Sequence, residues 1–142
     1  ALDVTIQAQI LNEVRDLARE FGTALVWITH DMSVVANLAQ TISVMYAGRI
    51  VESGPIDDVL DRPLHPYTRG LLDSVPHIGE TRARLRQIPG MTPSLAHLPP
   101  GCAFAPRCNV RTTVCDTAPD LLERRPAQMA RCHHPLSEEM AA

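Results

Sequence analysis

The feature that most limits how this chain can fold is an apolar run that breaks off in a polar tip. Residues 23–31 read TALVWITHD, and an amphipathic stretch, residues 32–39, follows at once. Apolar residues without alternation predict a strand buried on both faces, the habit of parallel sheets in α/β proteins. Open α/β sheets bind ligands at the carboxyl ends of their strands, which makes His30 a candidate site residue. A histidine after a strand also serves as a plain turn or capping residue, and position alone leaves both roles open.

The flanking segments narrow the fold. Asp3 is suited to cap the N-terminus of a helix over residues 4–21. Ile10, Val14, Leu17 and Phe21 recur at helical spacing, forming one stripe to face a sheet, and Gly22 stops the helix. Helix, buried strand, Thr-His-Asp, helix is one crossover unit of a doubly wound α/β sheet. Residues 45–54, MYAGRIVESG, read as a hairpin turning at Ala47 and Gly48.

Taken in this order, the Ala-Leu-Asp opening, the helix, the apolar strand, Thr-His-Asp and the hairpin resemble the second half of an ABC-transporter ATPase domain, over about residues 1–62. The resemblance implies that Asp3 belongs to the D-loop at the ATPase dimer interface. It also implies that His30 is the switch histidine that touches the γ-phosphate of ATP. Other parts of that machinery are missing from the sequence. It has no G-x-x-x-x-G-K-[ST] phosphate loop, no lysine at all, no Ser-Gly-Gly signature, and no apolar strand ending in Asp-Glu ahead of Asp3. A phosphate loop needs a lysine for the phosphates and a hydroxyl for Mg²⁺. The chain is therefore expected to be the C-terminal part of a longer protein, or a truncated gene product, and inactive toward ATP by itself.

Aromatic residues make up only 4% of the 142, so any core must rest on Leu, Val, Ile and Ala. A net charge of −3 argues against a nucleic-acid partner, which calls for a basic patch. Arg82, Arg84 and Arg86 form a local basic run, read more simply as a solvated helix face than as a phosphate site. No apolar run reaches the length of about 20 residues that crosses a bilayer.

Beyond Arg62-Pro63 the composition changes, and most of the twelve prolines lie from here on. Residues 64–72, LHPYTRGLL, start a short helix with Pro66 in its first turn, ended by Val75-Pro76. Residues 77–101 are rich in loop signals and bury little apolar area, so something else must hold them. The four cysteines are candidates: Cys102, Cys108, Cys115 and Cys132 are separated by five, six and sixteen residues. Disulfides suit an oxidising compartment, not a cytoplasmic ATPase. A four-thiolate zinc site usually contains a C-x-x-C knuckle, which is missing here. An iron–sulfur cluster also takes four thiolates and tolerates wider spacing. Independent buried thiols are the remaining reading, and spacing leaves zinc and cluster open.

The H-P-Y at residues 65–67, the four cysteines, Phe104, Arg107, Pro119 and the Ala130-Arg131-Cys132-His133 run resemble the C-terminal extension of ATPase subunits of oligopeptide and dipeptide ABC importers, a branch that includes nickel importers. The resemblance implies a [4Fe–4S] cluster on Cys102, Cys108, Cys115 and Cys132, with zinc as the alternative. A complete cysteine quartet makes His133 and His134 unnecessary as ligands. His65 is read as packing beside Pro66 and Tyr67; His77 and His97 carry no signal. Phe104 is either a shield for a metal site or one hydrophobic anchor.

The fold expected is thus α/β: the C-terminal half of a P-loop ABC ATPase domain over residues 1–62, then a small, loop-rich four-cysteine extension over residues 63–142. The function the resemblance implies is that of an ATP-binding subunit driving peptide import at the cytoplasmic face of a bacterial or archaeal membrane. ATP and Mg²⁺ would serve the full-length protein. Its partners would be a second ATPase subunit, the membrane permease subunits and, indirectly, a substrate-binding protein. A stand-alone cysteine-rich metal-binding module without ATPase activity is the competing class.

Overall fold

A computed structural model describes residues 4–75 and 87–137. The chain divides into two compact units, Ala1–Ala39 and Gln40–Ala142. Strand pairing within the second unit joins residues on both sides of position 62.

In the first unit, helix α1 spans Val4–Glu20. It ends as the sequence predicts. Gly22 adopts φ +61, its N–H bonds the Arg19 carbonyl at 3.3 Å, and the Thr23 N–H bonds the Ala18 carbonyl at 2.8 Å. This pair of bonds is a Schellman cap, which favours glycine at the left-handed position. Helix α2 follows over Met32–Leu38.

The buried strand expected over residues 23–28 is not formed. These residues run without regular structure, and Val26 and Ile28 are 87% and 93% exposed. A strand takes its hydrogen bonds from neighbouring strands, and the described residues of this unit contain only two helices. The stripe on α1 is likewise open, with Ile10, Leu17 and Phe21 exposed while Leu11 is buried.

The second unit is built on a four-stranded antiparallel sheet of order β1-β2-β4-β3. Strands β1 (Thr41–Tyr46) and β2 (Arg49–Pro55) form the expected hairpin. Its two turn residues, Ala47 (φ 48) and Gly48 (φ 76), both lie in the left-handed region, as two-residue hairpin turns of matching twist require. Along β1, Ile42, Val44 and Tyr46 point inward in strict alternation. Strand β2 breaks the alternation, burying Val51 and Glu52 in succession. The pairing shows why: Val44 faces Glu52 but Met45 faces Ile50, so β2 carries one extra residue. Such a bulge locally turns the strand, and here it sends two adjacent side chains inward.

Helix α3 (Ile56–Asp61) and helix α4 (Pro66–Asp73) follow. Short 3-10 turns occupy Ala105–Arg107 and Thr113–Asp116. Strands β3 (Leu122–Arg125) and β4 (Gln128–Ala130), which the sequence did not suggest, complete the sheet. The core of this unit includes Val44, Tyr46, Val51, Val59, Leu64, Phe104, Ala130 and Leu136. No helix among the described residues is long and apolar enough to cross a membrane.

Candidate functional site

The H-P-Y segment is organised around a buried carboxylate. Glu52, fully buried at the bulge of β2, accepts hydrogen bonds from the backbone N–H of Leu64 at 2.7 Å and of His65 at 2.9 Å. The Gln128 side-chain amide donates a third at 3.0 Å. A buried charge is tolerated only when such donors surround it. Gln128 Nε2 also reaches the Arg62 carbonyl at 3.1 Å, so β4 is pinned to the end of α3 as well.

His65 is the N-cap of α4, its Nδ1 accepting from the Tyr67 N–H at 3.0 Å. Its other ring nitrogen hydrogen-bonds the backbone of Arg131, so the neutral imidazole is held at both ends. Burial pushes its pKa down to about 4, against a smaller raising effect of the Arg131 backbone contact. Pro66 takes the first helical position, where no N–H is needed. Tyr67 packs against Tyr46 and Phe104 with ring centroids at 4.6 and 5.5 Å, and Tyr46 meets Phe104 edge-on at 5.3 Å. Tilted and edge-on contacts suit the quadrupoles of the rings. Phe104, buried two residues beyond Cys102, is the hinge of this aromatic set.

Arg107 does the holding that the loop-rich segment required. Its guanidinium donates to the Pro89 carbonyl at 2.8 Å, the Ile88 carbonyl at 3.2 Å, Thr92 Oγ1 at 3.2 Å and the Tyr46 hydroxyl at 3.4 Å. Arg131 secures the bulge: its N–H bonds the Val51 carbonyl at 2.8 Å and its Nε the Ile50 carbonyl at 3.0 Å, while Nη1 reaches the Pro119 carbonyl at 3.1 Å.

All four cysteines carry free thiols, Cys115 and Cys132 buried and Cys102 and Cys108 half-buried. The Cys102 N–H bonds the Cys115 carbonyl at 2.9 Å. Gly101, at φ +80, makes that approach possible, since a Cβ there would stand 2.4 Å from the Cys115 carbonyl oxygen. Burial pushes the Cys132 thiol up to about 11, the His134 N–H opposes this, and the other three thiols add to it. Cys108 is also raised, by burial first and by Cys102 and Cys115 in smaller part, with the Val110 N–H opposing. The His134 N–H lies 3.3 Å from Cys132 Sγ. No three His, Cys, Asp or Glu side chains among the described residues close on one point as a single metal ion needs.

The His133 and His134 rings hydrogen-bond the Thr117 carbonyl at 2.9 Å and Thr112 Oγ1 at 2.6 Å. His30 sits in the other unit, exposed at a bend just before α2. Beside it the Asp31 N–H bonds Thr29 Oγ1 at 3.0 Å, and the Asp31 carbonyl accepts from the Val35 N–H at 3.4 Å, opening the helix. Asp3, His77 and the run Arg82, Arg84 and Arg86 lie outside the described residues. Sequence reasoning missed Glu52, Gln128 and the roles of Arg107 and Arg131. Only Glu52 carried a signal, as a lone charge inside a strand.

Comparison with known proteins places these features. Residues 51–115 match the model of the oligopeptide/dipeptide transporter C-terminal region. A peptide import ATP-binding protein of Brucella ovis is 50% identical over 139 residues, covering 93% of this chain and 41% of its own length. The oligopeptide transport ATP-binding protein OppD of Salmonella typhimurium is 46% identical over 138 residues, covering 97% and 41%. AppD of Bacillus subtilis, also an oligopeptide transport ATP-binding protein, is 47% identical over 133 residues, covering 93% and 40%. The chain thus spans about two fifths of the length of the relatives it matches.

Proposed function

We propose that this chain, which corresponds to the C-terminal part of the oligopeptide-transport ATP-binding proteins of ABC importers, supplies one half of an ATP-driven peptide-import motor. The observation that carries this reading is identity of 46–50% along 93–97% of the chain to ATP-binding proteins named for peptide transport. In this reading, residues 1–62 complete an ATPase domain and residues 63–142 form its extension.

His30 donates a hydrogen bond to the γ-phosphate and holds the attacking water. Phosphoryl transfer relies on such positioning and on charge stabilisation. Asp3 lies at the interface with a second ATPase subunit. The exposed run 23–28 and the open stripe of α1 suit a sheet completed by the other part of the domain. Closure of the ATPase pair acts on membrane permease subunits, to which a binding protein delivers peptide, at the cytoplasmic face of the membrane. ATP with Mg²⁺ is the substrate of the full-length protein.

Cys102, Cys108, Cys115 and Cys132 hold a [4Fe–4S] cluster in this reading, supported by the free thiol quartet and its N–H donors. Held by these four residues, a cluster would tie together an extension with a small core. Loading would require Cys108 and Cys132 to give up thiol protons that burial favours keeping.

Joined to the upstream region of an importer of this branch, the chain should support ATP hydrolysis that His30→Ala abolishes; full activity in that variant would refute the switch assignment. Anaerobically purified chain should be brown, with iron and sulfide in equal amounts. A colourless protein carrying zinc would remove the cluster.

A further inference from the structure

The thiol quartet is not symmetric. Two of its sulfurs, those of Cys108 and Cys132, receive backbone N–H donors, from Val110 and His134. The other two residues, Cys102 and Cys115, are joined directly through their backbones by the 2.9 Å bond from the Cys102 N–H to the Cys115 carbonyl. A single bond of this length keeps the two Cα atoms within roughly 7 Å of one another, the limit beyond which a disulfide needs backbone movement. Gly101 tightens this approach, since its missing Cβ is what lets the two segments touch. A surface cavity of about 180 Å³, bordered by Tyr46, Arg49, Cys102, Phe104, Pro119 and Arg131, opens beside Cys102. It is large enough for a peroxide.

We propose that Cys102 and Cys115 form an oxidisable pair, which a peroxide converts to a disulfide whenever the quartet carries no metal. The Cys102 sulfur attacks one peroxide oxygen and becomes a sulfenic acid, with one water released. The Cys115 sulfur then displaces the hydroxyl from that sulfur as a second water. Two thiols and one hydrogen peroxide give one disulfide and two waters. The bond removes two of the four thiolates, so oxidation and metal loading exclude one another. The pair itself depends only on the backbone approach and stands whether or not the quartet takes a cluster.

The sequence makes the test direct. Cleavage after arginine, which spares Arg125 because Pro126 follows, places each cysteine in a different peptide: 87–107, 108–111, 112–124 and 132–142. Metal-free chain treated with hydrogen peroxide should fall from four titratable thiols to two. Mass spectrometry should find peptide 87–107 linked to peptide 112–124, two hydrogens lighter than their sum. Cys132→Ser should keep that link, and Cys115→Ser should lose it. Persistence of four thiols, a dominant link through 108–111 or 132–142, or linkage only between chains would overturn the proposal. Iron uptake by the reduced chain separates the two ideas. A link without iron uptake leaves the pair standing and removes the cluster, whereas iron uptake without a link removes the pair.

Discussion

Gln128 and Glu52, 76 residues apart in the chain, meet in the interior through a hydrogen bond of 3.0 Å. With the Leu64 and His65 amides, that contact gives the carboxylate three donors and no acceptor. Glu52→Gln forces an amide NH₂ against one of those N–H groups. The variant should lose about 1–3 kcal/mol of stability, the cost of an unpaired buried polar group. Denaturant unfolding of both proteins checks this; a midpoint unchanged by the substitution would show that the site relaxes freely.

His65 predicts a pH dependence with a definite sign. Its folded pKa of about 4 lies below the ordinary 6.5, so between those values the unfolded chain binds the extra proton and the folded chain does not. Stability is therefore constant in this respect above pH 6.5 and falls as pH drops toward 4. The total loss is on the order of 3 kcal/mol from this residue. His65→Asn keeps an acceptor for the Tyr67 N–H but does not titrate, so its unfolding midpoint should vary less between pH 7 and 5.

Gly101 and Gly48 make a matched comparison. Both have positive φ, but a Cβ on Gly48 meets nothing within 4 Å, whereas one on Gly101 stands 2.4 Å from backbone atoms of Cys115 and Asp116. Gly48→Ala should cost about 1 kcal/mol through its conformation alone. Gly101→Ala should cost several times more and make the thiols react faster with an alkylating reagent. Equal effects of the two substitutions would remove the role assigned to the close approach.

Arg107→Lys should release the loop over residues 88–92 while leaving the sheet intact. An ammonium cannot copy a planar fork that reaches four acceptors. Hydrogen exchange followed by mass spectrometry should show faster exchange of the loop amides, with β1 and β2 protected as before. Unchanged protection of the loop would mean that other contacts hold it.

The outcome separates what local chemistry records from what long-range contacts decide. The hairpin turn at Ala47-Gly48, the stop at Gly22 and the start of α4 at His65-Pro66 depend on neighbouring residues, and each formed where the residues require it. The strand over residues 23–28 needs partner strands, and its hydrophobicity could not supply them. Strands β3 and β4 are short and polar, and pair only because β2 offers an edge. Arg107 and Arg131 look like any surface arginine in sequence. Their value comes from carbonyls far along the chain, and no local pattern marks them. The cysteines stand out as a set in the sequence, but the Cys102–Cys115 approach does not, because it depends on a glycine without a side chain.

The extra residue in β2 sets a rule for how this region can vary. Substitution can change what a side chain is, but only insertion or deletion can change which side of the sheet it occupies. Losing Val51 would restore regular pairing and leave Glu52 opposite Val44, but it would remove the second inward side chain and the carbonyl that the Arg131 N–H bonds. Chain length between residues 44 and 52 is therefore a stricter requirement than residue identity, and related sequences that keep this architecture should show no gap there.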